Sequence, residues 1–172
     1  MTITIRLAHP DDAPFLPDVE KSAARAFSTI EALSWVVDSA PMPVERHQRI
    51  IALSTCWVAV NHRDLPQGLL SAERYDEALH VHELSVMQSE QRQGIGRRLM
   101  EIAMAHARAK GLLAITLTTF KNVPWNAPFY ARLGFEQLPE ATLAPRLAAI
   151  LAEEYRRGFA PGSRCAMSWR VC

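Results

Sequence analysis

The stretch from Leu79 to Thr118 constrains the fold most. It reads as a strand (Leu79 to Val86), a turn carrying Gly94 and Gly96, a helix in which Ile95, Leu99, Ile102, Ala103 and His106 recur at helical spacing, and a second strand from Leu113. Lys110-Gly111 ends the helix, because glycine takes the left-handed conformation of a helix C-terminus at least cost. Two strands joined through a helix lie parallel in one sheet, since the helix carries the chain back to its starting end. The segment therefore predicts an α/β fold with at least one parallel crossover.

The flanking segments add antiparallel strands and further helices. Ile3, Ile5 and Leu7 alternate with polar residues as a first strand, and His9-Pro10-Asp11-Asp12 supplies the stop and a helix start. The helix that follows should turn Ala13, Leu16, Ala23 and Phe27 inward. Trp35 to Met42 reads as a loop or broken helix closed by Pro41 and Pro43, before a helix from about Val44 to Leu53. Cys56 to Val60 and Gly68 to Glu73 read as strands joined by a turn-rich link, and Leu79 to Val86 completes an antiparallel meander. A short helix from Asn126 to Leu133 closed by Gly134, a helical stretch from Thr142 to Arg157 and a last strand from Cys165 to Val171 finish the chain. At 172 residues this fits one domain, residues 1–172.

Charge and composition narrow the partners. A formal charge of +1 gives no electrostatic footprint for nucleic acid or for an anionic membrane, so neither is expected as a partner. No apolar run reaches membrane-spanning length, and the first residues alternate like a strand rather than running apolar like a signal peptide. Cys56, Cys165 and Cys172 have no metal-ligand spacing, and their odd number suits a reducing, cytoplasmic compartment. No metal is expected, and a homodimer is compatible with the chain.

Gly94 and Gly96, after a strand and at the start of a helix, gather backbone amides where an anion could sit. Arg97 and Arg98 stand in the first helical turn, where the helix dipole disfavours cations, and a bound anion would offset that. A dinucleotide site would want a third glycine near Leu99 and an acid about 20 residues on, where Ile115-Thr116-Leu117-Thr118 stands instead. A nucleoside-triphosphate loop would want Gly-Lys-Ser or Gly-Lys-Thr, which is missing. In the preceding strand the apolar residues fall at 79 and 81, then at 84 and 86. That change of parity near His82 and Glu83 predicts a bulge or local splay with unpaired donors, a common neighbour of active sites.

Gln91-x-x-Gly94-x-Gly96 after Leu84-Ser85-Val86, followed by Asn126 and by Phe129-Tyr130-Ala131-Arg132-Leu133-Gly134-Phe135, resembles the GNAT family of N-acetyltransferases. The resemblance implies that family's acyl-CoA acyltransferase fold, a central mixed sheet flanked by helices, with acetyl-CoA as co-substrate. It implies that main-chain groups of Leu84, Ser85 and Val86 pair with the pantetheine arm and the thioester. Gln91, Arg92, Gln93, Gly94, Ile95, Gly96 and Arg97 would hold the pyrophosphate, and Asn126, Phe129 and Tyr130 would line the thiol end. By the same resemblance Tyr130 is the general acid for the departing thiolate, a role a phenol can fill within hydrogen-bond reach of the sulfur.

Attack by an amine needs a base, and His80, His82 and Glu83 are the candidates. The pair His80-Val81-His82 before Leu84-x-Val86 is similar to the corresponding strand of serotonin N-acetyltransferase, where two histidines so spaced serve amine deprotonation. The plain alternative is that both histidines are half-buried strand residues with satisfied hydrogen bonds and Glu83 a surface charge. The expected reaction is direct acetyl transfer to a primary amine, a small amine favoured. A protein or peptide acetyltransferase and a non-catalytic acyl-CoA-binding module are the alternatives. Phe27, Trp35, Met42 and Trp125 could wall an acceptor pocket but serve equally as core. Arg146, Arg156 and Arg157 read as solvated surface and Cys165 as structural.

Overall fold

The computed structural model describes residues 2–172. Strand β1 (Thr4–Leu7) leads into a single-turn-type helix at Pro10–Phe15 and then helix α1 (Leu16–Ala24). His9 caps this start as its sequence suggested: its backbone N–H donates to Asp12 Oδ2 at 2.7 Å, and its ring accepts from the Asp11 amide at 3.3 Å. Asp12 also takes the Arg6 guanidinium at 2.7 and 3.1 Å, which ties the strand to the helix. The helix expected to reach Phe27 ends at Ala24 and gives way to tight helical stretches at Arg25–Thr29 and Glu31–Asp38, the second of which enters the loop or broken helix expected from Trp35 to Met42, before α2 (Val44–Ala52).

Strands β2 (Cys56–Val60) and β3 (Pro66–Tyr75) pair antiparallel. Their link is tighter than the turn-rich sequence suggested, because Asn61 Oδ1 accepts from the Arg63 and Leu65 amides at 2.9 and 3.1 Å and starts β3 at Pro66. Then come β4 (Ala78–Val86), α3 (Ile95–Ala109), β5 (Ala114–Phe120), α4 (Ala127–Arg132), the two-residue β6 (Glu136–Gln137), α5 (Pro145–Arg156) and β7 (Arg164–Arg170). The sheet has seven strands in the order β1-β2-β3-β4-β5-β7-β6. β4 and β5 pair in parallel through Ala78↔Ala114, Leu79↔Ile115 and His80↔Thr116. The crossover is therefore present, and the sheet is mixed because β1, β2, β5, β6 and β7 have antiparallel neighbours.

Three local readings change. Ile102 is 37% exposed. The stripe that α3 buries is Ile95, Leu99, Met100, Ala103, Met104 and Ala107, an i, i+4 pattern that turns Ile102 aside. Helix α5 begins at Pro145 rather than Thr142, since proline has no N–H to donate and suits the first helical position. Strand β6 has no apolar alternation to announce it and exists only through its pairing with β7.

The chain divides into two compact units. The first comprises residues 1–73 and 81–105; its core packs Ala13, Leu16, Val19, Ile50, Val58 and Leu69 between α1, α2 and the first strands. The second comprises residues 74–80 and 106–172; there α5 sets Leu147 and Leu151 on Ala166 of β7. Strand β4 passes from one unit to the other after His80.

Candidate functional site

In the first unit the segment after β4 is held by backbone and side-chain hydrogen bonds together. The Met87 amide donates to Gln67 O at 2.8 Å and the Gln88 amide to Ser22 Oγ at 2.9 Å. Gln91 Nε2 reaches back to Val86 O at 2.9 Å and closes the loop. Arg92 (φ 65°) and Gly94 (φ 80°) then take left-handed conformations, which turn successive amides into the kind of concavity that accepts anions. A Cβ at Gly94 would meet nothing within 4 Å, so the loop is open on that side.

The two arginines at the start of α3 have partners in the chain. Arg97 Nε pairs with Glu101 Oε1 at 2.9 Å, and Arg98 Nη2 donates to Ile3 O at 3.0 Å. Their position therefore needs no bound anion to account for it. A glycine that the sequence did not single out does more for this loop. A Cβ on Gly68 would lie 3.2 Å from Ser85 O, 3.4 Å from Ile95 and 3.5 Å from Leu99, so glycine lets α3 and β4 approach β3 without the Ser85 carbonyl having to give way.

Four residues of β3 and β4 bring polar groups together in the same unit. His82 Nε2 lies 2.7 Å from Glu73 Oε2, with the two side chains 14% and 28% exposed. Ser85 Oγ donates to Glu83 Oε1 at 2.6 Å. Ser85 is buried, whereas Leu84 and Val86 are partly exposed. Glu73 stood in no sequence motif; only its register beside His82 reveals it.

In the second unit His80 is buried and its Nδ1 lies 2.8 Å from Thr116 Oγ1. The same hydroxyl accepts from Arg146 Nη2 at 3.2 Å, and the Arg146 guanidinium lies 4.8 Å from the centroid of Tyr75. Arg146 is thus partly buried, unlike the exposed Arg156 and Arg157, because it stands at the start of α5 and folds back onto β5. One turn of strand further on, Thr118 Oγ1 donates to Glu154 Oε2 at 2.7 Å, and Arg164 grips Glu154 at 2.9 and 3.3 Å. Arg164 lies 4.5 and 4.7 Å from the Phe120 and Phe159 ring centroids.

Tyr130 is buried in α4 between Phe129 and Phe135, with ring centroids 5.1 and 5.7 Å away. Asn126 precedes α4, its carbonyl accepting from the Tyr130 amide at 3.1 Å, and Gly134 (φ 100°) ends the turn against Trp169. Trp35 and Trp125 are 40% and 38% exposed, while Met42 packs on the first unit's core. Among the described residues no group of three or more His, Cys, Asp or Glu could hold a metal, and no helix is long and apolar enough to cross a membrane.

A mixed sheet whose parallel crossover opens on an exposed, glycine-bearing loop is the frame of an α/β ligand-binding enzyme. Residues 52–137, half of the chain, match the family model described as acetyltransferase (GNAT) domain. The chain belongs to the GNAT family and is an acetyl-CoA-dependent N-acetyltransferase. The fold is similar to that of the PaiA N-acetyltransferase from Thermoplasma acidophilum in complex with coenzyme A (TM-score 0.72, 18% identity, covering 99% of each chain). It is also similar to the ribosomal-protein-S18-alanine N-acetyltransferase from Escherichia coli (TM-score 0.66, 14% identity, 99% of this chain and 94% of that one). N-acetylglutamate synthase from Neisseria gonorrhoeae, complexed with coenzyme A and N-acetyl-glutamate, matches with TM-score 0.70 and 17% identity. This chain is covered fully there but spans 36% of that one.

Proposed function

We propose that the protein transfers acetyl from acetyl-CoA directly to the primary amine of a small acceptor, with His82 as the base. The observation that carries this is the 2.7 Å pair between His82 Nε2 and Glu73 Oε2 at a partly exposed position on β4. A carboxylate on one ring nitrogen orients the imidazole and stabilises the imidazolium that forms when it takes a proton. His80 is buried, with its Nδ1 2.8 Å from the Thr116 hydroxyl, and Glu83 is engaged by Ser85, so His82 is the partly exposed one of the two histidines.

The open loop at Gly94 and the left-handed Arg92 suit a pyrophosphate, so the amides of residues 91–97 would hold the coenzyme and main-chain groups of Leu84, Ser85 and Val86 its arm. Asn126 and Phe129 would border its thiol end. Bound acetyl-CoA supplies an activated acetyl thioester. His82 takes the proton released by the attacking amine, and the phenol of Tyr130 gives one to the departing sulfur, so protons balance without a covalent enzyme intermediate. We treat residues 1–172 as one catalytic domain, since the family match takes in residues of both compact units. The unpaired cysteines, two of them buried, favour a cytoplasmic setting.

The test is a panel of small amines and peptides with acetyl-CoA, following free thiol. Acceptor-dependent thiol release with small amines supports the reading, and release with peptides alone replaces it by protein acetylation. Coenzyme binding with no release from any acceptor leaves a non-catalytic module. Tyr130→Phe, assayed beside the wild type, should lose turnover by about a hundredfold or more while still binding the coenzyme.

A further inference from the structure

The turn that carries β4 into the glycine-bearing loop has no cap of its own. Gln88–Glu90 forms one helical turn, and Met87, which stands before it, has no side-chain oxygen to accept an amide. The Gln88 amide donates instead to Ser22 Oγ at 2.9 Å, from a residue 66 positions away in sequence. Ser22 is buried on α1, in the same compact unit as the turn and the loop. The Met87 amide, held by Gln67 O at 2.8 Å, ties the start of the turn to β3. Directly after the turn come Gln91, the left-handed Arg92 and Gly94, and the first residues of α3.

Ser22 can fix the turn only if α1 is itself fixed, and the helix is held on both an apolar and a polar side chain. Leu16 and Val19 are fully or almost fully buried in the core of this unit. Glu20, two residues before Ser22 and also buried, accepts the Met42 amide on Oε2 at 2.7 Å. Its Oε1 lies 2.9 Å from Nε2 of the buried His47 on α2, at ion-pair distance but without the alignment of a hydrogen bond. A buried carboxylate is costly unless it is engaged, so Glu20 fastens α1 to the link between Pro41 and Pro43. The Ser22 hydroxyl is thus presented from an anchored element to a turn that lacks a local acceptor.

We infer, on the reading of residues 91–97 as the pyrophosphate cradle, that Ser22 is a positioning residue for the coenzyme. It fixes the turn from which the loop presents its amides, so that the cradle is formed before acetyl-CoA arrives. A loop that must be ordered on binding lowers the apparent affinity by the fraction of chains in the competent form. Bound coenzyme would then hold the loop whether or not Ser22 does. Ser22 therefore acts on the free protein, through the Gln88 amide.

The experiment is calorimetric titration with coenzyme A of the wild type, Ser22→Ala, Gln88→Pro and the double variant, with urea unfolding to establish that each is folded. Proline removes the Gln88 N–H at the first position of a helical turn, where it is well tolerated. Ser22→Ala should raise the Kd about tenfold in the wild-type background and less than about twofold in the Gln88→Pro background, where the donor is already gone. Hydrogen exchange needs no variant: in the free wild type the Gln88 amide should be protected, and Ser22→Ala should speed exchange at residues 88–97 until coenzyme A saturates the protein. An unchanged Kd in Ser22→Ala, an equal loss in both backgrounds, or an unprotected Gln88 amide in the free wild type overturns the inference. Gly94→Val, strained at φ 80°, tests the cradle separately. An unchanged Kd there removes the loop reading and the inference with it, whereas a loss there and none in Ser22→Ala removes the inference alone.

Discussion

The two ends of β4 carry the same residue type in different settings. At Ala78 to His80 the histidine is 3% exposed and faces a hydroxyl already shared with an arginine. At Val81 to Val86 the histidine is partly exposed and faces a carboxylate. Two histidines separated by one valine therefore have unlike surroundings: one lies in a buried polar cluster, and the other, which we propose as the base, is partly exposed beside a carboxylate. The motif specifies a pair, and the neighbouring strands decide the partner and the exposure of each member.

The largest effect should come from breaking the exposed pair. His82→Gln is expected to lower kcat about a hundredfold or more, and Glu73→Gln about tenfold, with coenzyme binding kept. Steady-state kinetics in which His80→Gln costs more than His82→Gln would reverse the assignment. Next, Thr116→Val should remove about 1–3 kcal/mol of stability in urea unfolding, since it leaves His80 Nδ1 and Arg146 Nη2 short of a partner. A loss confined to activity would show instead that the buried end of β4 is not structural.

Gly68→Ala should cost about 1 kcal/mol and weaken coenzyme binding, because the added methyl meets the Ser85 carbonyl, a backbone atom that cannot swing away. Calorimetric titration with coenzyme A tests this; unchanged affinity would separate the packing of β4 from the loop. The smallest effect lies in the core of the first unit. Burial pushes the Cys56 thiol up to about 11, with nearby Asp12 and Glu20 adding to it against the Ser71 hydrogen bond. The unfolded thiol titrates near roughly 8.5. The fold therefore favours the protonated form, and this contribution is complete below that pH and lost as pH rises towards about 11. Unfolding at pH 8 and pH 10 should show the loss in the wild type and a smaller one in Cys56→Ala.

Much of this was legible along the chain. The crossover from Leu79 to Thr118 announced itself because strand and helix periodicities are local properties, and glycine marks the turns that need its freedom. The family resemblance rests on the residues of Gln91-x-x-Gly94-x-Gly96 after Leu84-Ser85-Val86 and on Asn126 with Phe129 to Phe135, segments of continuous sequence. The arginines after the loop were a misleading cue, since an i, i+4 carboxylate and a carbonyl of β1 satisfy them. Arg146 read as surface because a helical arginine carries no periodic signal of burial.

The sequence by itself determined the order of elements, the parallel crossover and the loop, since each depends on residues within a few positions of one another. Tertiary structure alone decided that Glu73 meets His82, that Thr116 joins His80 to Arg146, and that Gly68 admits Ser85 and α3. Those facts depend on strand register and on which face a helix turns inward, and the free energies that set them come from packing between segments far apart in the chain.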